Sequence, residues 1–173
     1  MPRRSSSCVM APRWGGAVLG RRGAGEAHRF RATFETTYEP GDLLAVAHTN
    51  GAEQGRTAWR TATGPMLLAA ATDRATLRGD DTDLAFVTLS LVDSQGTVFA
   101  QADQEVAIVV TGPAVLQGFG SGNPRTAESF TDRTHTTFDG RALAVIRPTG
   151  PGRISVVASA PGCQSIEIRL EAV

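Results

Sequence analysis

The 173-residue sequence contains no lysine; all seventeen of its basic residues are arginine. Its two cysteines are too few for a disulfide framework. No apolar run approaches the ~20 residues that a membrane-spanning helix needs. Arg3-Arg4 is followed by no apolar core segment of the kind a secretory signal carries, since Ala17-Val18-Leu19 is the longest run nearby. The compartment is therefore not readable. The formal net charge is zero, which argues against a nucleic-acid binder, because phosphate contacts demand an excess of cations. The length excludes a parallel α/β barrel of ~250 residues.

What is present describes a globular chain: 41% hydrophobic and 20% charged residues. The zero charge hides an asymmetry. Residues 1–31 hold seven arginines against the single acid Glu26, and the remainder holds ten arginines against sixteen acids. The arginine-only, alanine-rich composition points to a GC-rich coding sequence. The basic head has two readings, a targeting or binding arm or sequence outside the fold. Residues 1–12 are expected to be disordered.

From residue 29 the dominant period is two, the mark of half-buried strands. Phe30, Ala32 and Phe34 alternate with Arg29, Arg31, Thr33 and Glu35. Glu39-Pro40-Gly41-Asp42 is a turn. Leu43 to His48 and Gln54 to Thr63 read as two strands joined at Asn50-Gly51, a strong hairpin signal. Gly64-Pro65 breaks the chain and places a domain boundary. Met66 to Thr72 is alanine-rich and fits helix or strand. Ala85, Val87, Leu89 and Leu91 form one strand face, and Val106, Ile108 and Val110 another. Ala142 to Ile146 is apolar on both faces and so belongs centrally. Ile154, Val156 and Ala158, then Ile166, Ile168 and Leu170, complete the pattern. About seven short strands over residues 65–173 predict an immunoglobulin-like antiparallel β-sandwich. Its expected core includes Val87, Leu89, Val106, Ile108, Val145, Val156 and Ile168.

No catalytic constellation emerges. The glycines of Gly118-Phe119-Gly120-Ser121-Gly122 lead into Asn123-Pro124, with no helix to complete a phosphate site. The loop candidates for binding are Phe119, Asn123 and Arg125. Asp80-Asp81-Thr82-Asp83 lacks the ligand spacing of a calcium loop and reads as an acidic turn. His28, His48 and His135 are scattered, with no partner at metal-ligand spacing. No G-x-S-x-G elbow positions a serine. Cys163 stands in a turn as an incidental small residue. Trp59 reads as a core tryptophan, with sugar stacking as its alternative. No catalytic residue, metal or cofactor is expected.

Phe34-x3-Tyr38-Glu39-Pro40-Gly41-Asp42-Leu43-x-Ala45-Val46-Ala47 resembles a stretch in the C-terminal part of glycoside hydrolase family two, the β-galactosidase family. Gly15-Gly16-x-x-Leu19-Gly20-Arg21 precedes it. Thr72-Asp73-Arg74, Asp83-Leu84-Ala85-Phe86-Val87-Thr88, Gly120-x-Gly122-Asn123-Pro124, Phe130, Phe138-x-Gly140-x-Ala142 and Ala160-Pro161-Gly162 continue the likeness in order over roughly residues 13–173. Ala100 stands where the family commonly has proline, and Asn123-Pro124 departs from its commoner Gly-Asp-Pro.

The resemblance implies a chain without the family's upstream barrel and without its two catalytic glutamates, hence inactive alone. A retaining glycosidase holds two carboxylates ~5 Å apart across the bond, and here no barrel holds them. Residues 13–64 are then expected to be the closing strands of a truncated β-sandwich module ahead of the complete sandwich. The implied role is that of a non-catalytic C-terminal accessory region of a β-galactosidase-like hydrolase in carbohydrate metabolism. Its expected partners are the catalytic region of such a hydrolase, or further copies joined through exposed strand edges, and neither nucleic acid nor membrane. The alternative is a free-standing bacterial immunoglobulin-like adhesin or carbohydrate-binding module. The low aromatic content, 6%, favours the accessory role.

Overall fold

A computed structural model describes residues 6–12, 18–19, 21–22, 32–50 and 52–173. The chain divides into two compact units between Thr61 and Ala62. No helix occurs among the described residues.

The first unit contains β1 (Ser6–Pro12), β2 (Val18–Leu19), β3 (Arg21–Arg22), β4 (Ala32–Thr33), β5 (Asp42–Thr49) and β6 (Ala52–Arg60). One sheet has the order β2-β1-β5-β6, and β3 pairs with β4. β1 falls within residues 1–12, the head expected to be disordered. It runs antiparallel to β5 from Ser6 opposite Thr49 to Pro12 opposite Leu43. The physical reason is that Cys8 to Ala11 is an apolar run able to pair the backbone groups that β5 would otherwise leave open. Residues 1–5, and Arg29, Phe30 and Arg31 of the next expected strand, lie outside the described residues; β4 covers Ala32 and Thr33 of that strand. The β5–β6 hairpin closes with Thr49 opposite Ala52. Asn50 takes φ 52°, the left-handed geometry a two-residue hairpin turn requires of its first residue.

The second unit contains β7 (Leu67–Thr72), β8 (Thr76–Leu77), β9 (Ala85–Val92), β10 (Glu105–Thr111), β11 (Ala114–Gly120), β12 (Thr134–Thr136), β13 (Arg141–Pro148), β14 (Gly152–Ser159) and β15 (Ile166–Ala172). They form a four-stranded sheet, β11-β13-β9-β7, and a five-stranded sheet, β12-β10-β14-β15-β8. Every pairing in it is antiparallel except β15 with β8. The segment left open between helix and strand is β7.

Alternation explains the packing. In β9, Ala85, Val87, Leu89 and Leu91 are buried, and in β14 Ile154, Val156 and Ala158 are. These and the inward residues of the other strands form one hydrophobic cluster between the sheets. Each large apolar side chain so buried contributes ~1.5–3 kcal/mol relative to exposure.

Among the expected core residues, Val87, Leu89, Val106, Ile108 and Val156 are fully buried, and Ile168 is half-buried against the cluster. Val145 is a correction. β13 lies centrally, between β11 and β9, but Ala142, Ala144 and Ile146 take its inward face. Strict alternation then turns Leu143 and Val145 outward. Gly112 marks a tight crossing: its φ is 99°, and a Cβ there would collide with the Arg153 carbonyl oxygen.

Candidate functional site

The second unit gathers its unusual polar groups at one place, where residues 121–133 carry the chain from β11 to β12, from the edge of one sheet to the edge of the other. Two backbone bonds tie this connection down. Phe119 N–H donates to the Phe130 carbonyl (2.8 Å), and Ile108 N–H donates to that of Arg133 (2.8 Å).

β12 turns His135 inward, and no part of its ring reaches solvent. The imidazole meets Phe119 edge-on (centroids 5.9 Å, 65°) and stacks on Phe130 (5.4 Å, 20°). Phe130 reaches that position because residue 120 is glycine; a Cβ there would run into its ring. His135 Nδ1 lies 3.1 Å from the Thr136 carbonyl and 3.2 Å from Glu128 Oε2. Both are acceptors, so Nδ1 carries the proton. Nε2 is buried with no hydrogen-bond partner.

Glu128 Oε1 accepts from the Thr136 N–H (2.9 Å) and hydroxyl (2.7 Å), and Oε2 from the Thr126 hydroxyl (2.9 Å). The Thr136 hydroxyl first, with Thr126 and the His135 ring adding, holds the Glu128 carboxyl below its ordinary value against the opposing effect of burial. With its imidazole enclosed between Phe119 and Phe130 and its Nδ1 held by the Thr136 carbonyl and Glu128, His135 serves the cluster as a structural lock.

Of the loop candidates, Phe119 is buried in the core on β11, a correction to its place in a binding loop. The parity of β11 sends it inward. Asn123 Oδ1 accepts from the Arg125 N–H (3.0 Å), so its side chain shapes a local turn. Arg125 is exposed. The structure does not bring these three together around a shared concavity.

A shallow cleft of about 600 Å³ lies elsewhere, lined by Thr111, Arg153, Ser155, Glu167, Arg169 and Glu171 among others. Its charges answer one another. Glu167 accepts from Arg169 (2.8 Å) and from the Ser155 hydroxyl (2.7 Å), and Arg153 lies 3.9 Å from Glu171. Arg169 and Ser155, in that order, hold the Glu167 carboxyl low. Among the described residues no group of three potential metal ligands converges. In the acidic turn, Asp80 caps Thr82 and Asp81 pairs with Arg147. Trp59 is 59% exposed on β6. This corrects its reading as a core residue: all nine residues of that edge strand are exposed.

Residues 68–169 match glycoside hydrolase family 2 C-terminal domain 5. The chain belongs to this family. A β-galactosidase of Bacteroides ovatus is 31% identical over 136 residues, which are 78% of this chain and 16% of that protein. A family 2 glycosyl hydrolase of Bacteroides cellulosilyticus superposes with a TM-score of 0.85 at 27% identity, over 96% of this chain and 21% of that one. A second structure, of a family 2 member from strain DSM 14838 of that species, gives 0.83 at 28% identity, over 95% and 22%. The chain thus spans 16–22% of the length of these three relatives.

The family's sequence marks fall on structural duties in this domain. Asp73 Oδ1 accepts from the Phe86 N–H (2.8 Å), and Asp83 from the Arg78 and Leu84 N–H groups (3.0 and 2.9 Å). Arg74 bridges the two carboxylates, at 3.0 Å from Asp73 and 3.2 Å from Asp83. His135, Glu128 and Phe130 were not legible together. The alternation Thr134-His135-Thr136 places the histidine inward, but nothing in the spacing announces that Glu128, seven residues earlier, folds back onto it.

Proposed function

We propose that the chain is a non-catalytic accessory region of a β-galactosidase-like glycoside hydrolase, one that packs on or extends the catalytic part. The observation that carries this reading is the match of residues 68–169 to a C-terminal domain of that family, in relatives several times longer than this chain. The site chemistry supports it: the buried histidine is sealed, and the cleft's charges are paired with one another.

The experiment is an immunoblot of the native source with an antibody raised against residues 62–173. The expected result is a polypeptide several times the length of these 173 residues, co-purifying with β-galactosidase activity. A 173-residue species that migrates alone contradicts the proposal.

A further inference from the structure

We propose that residues 121–133 form an acid-released strap, latched across the open side of the sandwich by the Glu128 carboxylate seated against His135. Every hydrogen bond at the Glu128 carboxylate is donated to it. The Thr136 N–H, the Thr136 hydroxyl and the Thr126 hydroxyl all donate to it, and His135 Nδ1–H faces it at 3.2 Å. Four donors converge on one carboxylate. An ionised carboxylate suits such a site, since it accepts only. A protonated one turns an O–H toward the donors and loses the charge that strengthens the remaining bonds.

When Glu128 takes a proton from solvent, the ties that hold the strap among the described residues are the Phe130–His135 stack and its two backbone bonds to Phe119 and Ile108. Gly120-Ser121-Gly122 at its start supplies the backbone freedom to swing. Opening removes the Phe130 carbonyl from the Phe119 N–H. It uncovers the β11 edge of the four-stranded sheet, which is the form in which a sheet pairs with other chains.

The charged groups around the latch do not substitute for it. Glu105 on β10 stands opposite Thr136, and Arg125, Asp132 and Arg133 lie on the strap itself. None of these makes a hydrogen bond or ion pair with Glu128 among the described residues. β11 carries no titratable residue. His135 is the titratable group in contact, and its Nδ1–H also has the Thr136 carbonyl to bond.

The test is amide hydrogen exchange on the full chain, read as protection factors at the Phe119, Ile108 and Thr136 amides, from about pH 7 to about pH 3.5. Wild-type protection there is expected to fall about tenfold or more on acidification, while that at Val87 and Val156 holds. Glu128→Gln should show the low protection already at about pH 7, with no further dependence on pH. Thr126→Val, which removes one donor and leaves the carboxylate, should move the midpoint of release to higher pH. It also serves if Glu128→Gln fails to fold. Wild-type protection that stays constant over the range, or a Thr126→Val midpoint that does not move, overturns the proposal.

Discussion

Leu89 and Leu143 are chemically identical residues on neighbouring strands with opposite parity. Leu89 is fully buried on β9 and Leu143 is 41% exposed on β13. Leu89→Ala is expected to cost ~2–5 kcal/mol through lost transfer energy and a residual cavity. Leu143→Ala should stay within about 0.5 kcal/mol. Equilibrium urea denaturation of the two variants checks this, and equal losses would overturn the assignment of faces. The sequence showed parity wherever charged or polar neighbours marked the wet side, as Glu167 and Arg169 do beside Ile168. It did not show parity in β13, where Leu143 and Val145 are as apolar as the residues they alternate with. Carboxylates set the acid limit at this scale. Asp73, Asp80, Asp83, Glu128 and Glu167 are all held below their ordinary values of 3.8 or 4.5, by the Phe86 N–H, the Thr82 hydroxyl, the Arg78 N–H, the Thr136 hydroxyl and Arg169 respectively. A carboxyl with a depressed folded value favours the folded state above its unfolded value. That contribution disappears as pH falls through the folded value. Thermal midpoints should therefore be insensitive to these groups above about pH 5 and decline from about pH 4.5 downward. A midpoint that rises over that interval would contradict the assignments.

Among whole elements, β6 shows how an edge strand is kept from pairing. It is the last strand of its sheet and carries Glu53, Arg56 and Arg60. A register shift opposite Ala47 and His48 adds a bulge. Charges and bulges are the ordinary means of blunting an edge. Glu53 and Arg56 pair along the strand at 2.7 Å, and Arg60 reaches Asp42 at 3.0 Å. The double substitution Arg56→Val and Arg60→Val is expected to produce concentration-dependent association that the wild type lacks in the same range. Sedimentation velocity over a dilution series measures it, and indistinguishable profiles would remove this role from the two arginines. Of the seven long strands of the second unit, β9, β10, β13, β14 and β15 could be anticipated from apolar patterning and turn residues, whereas β7 was open between helix and strand and β11 carried no clear alternation. β8 and β12 could not be anticipated, because two or three residues carry no period. Both exist because a neighbour pairs with them: β15 for Thr76–Leu77 and β10 for Thr134–Thr136. The first unit was harder to read. β1 has no alternation, and its pairing with β5 joins residues some forty positions apart.

At the scale of the molecule, the sandwich and its kinship with a C-terminal hydrolase domain were both accessible from residue order. The alternating strands gave the layers, and the Tyr38–Asp42, Asp73-Arg74 and Asp83–Thr88 stretches gave the family. The structure adds that Arg74 joins Asp73 to Asp83, so that two of those stretches are tied to each other. It also adds the sealed imidazole of His135. On the proposed function, this scaffold supports a hydrolase without performing the hydrolysis. In a retaining glycosidase most of the rate comes from positioning and from two carboxylates held across the scissile bond. The most direct measurement is hydrolysis of an aryl β-galactoside by the purified 173-residue chain. The expected result is release of the aryl group no faster than in buffer. Turnover that tracks the purified protein and disappears when a single glutamate is replaced by glutamine would contradict it.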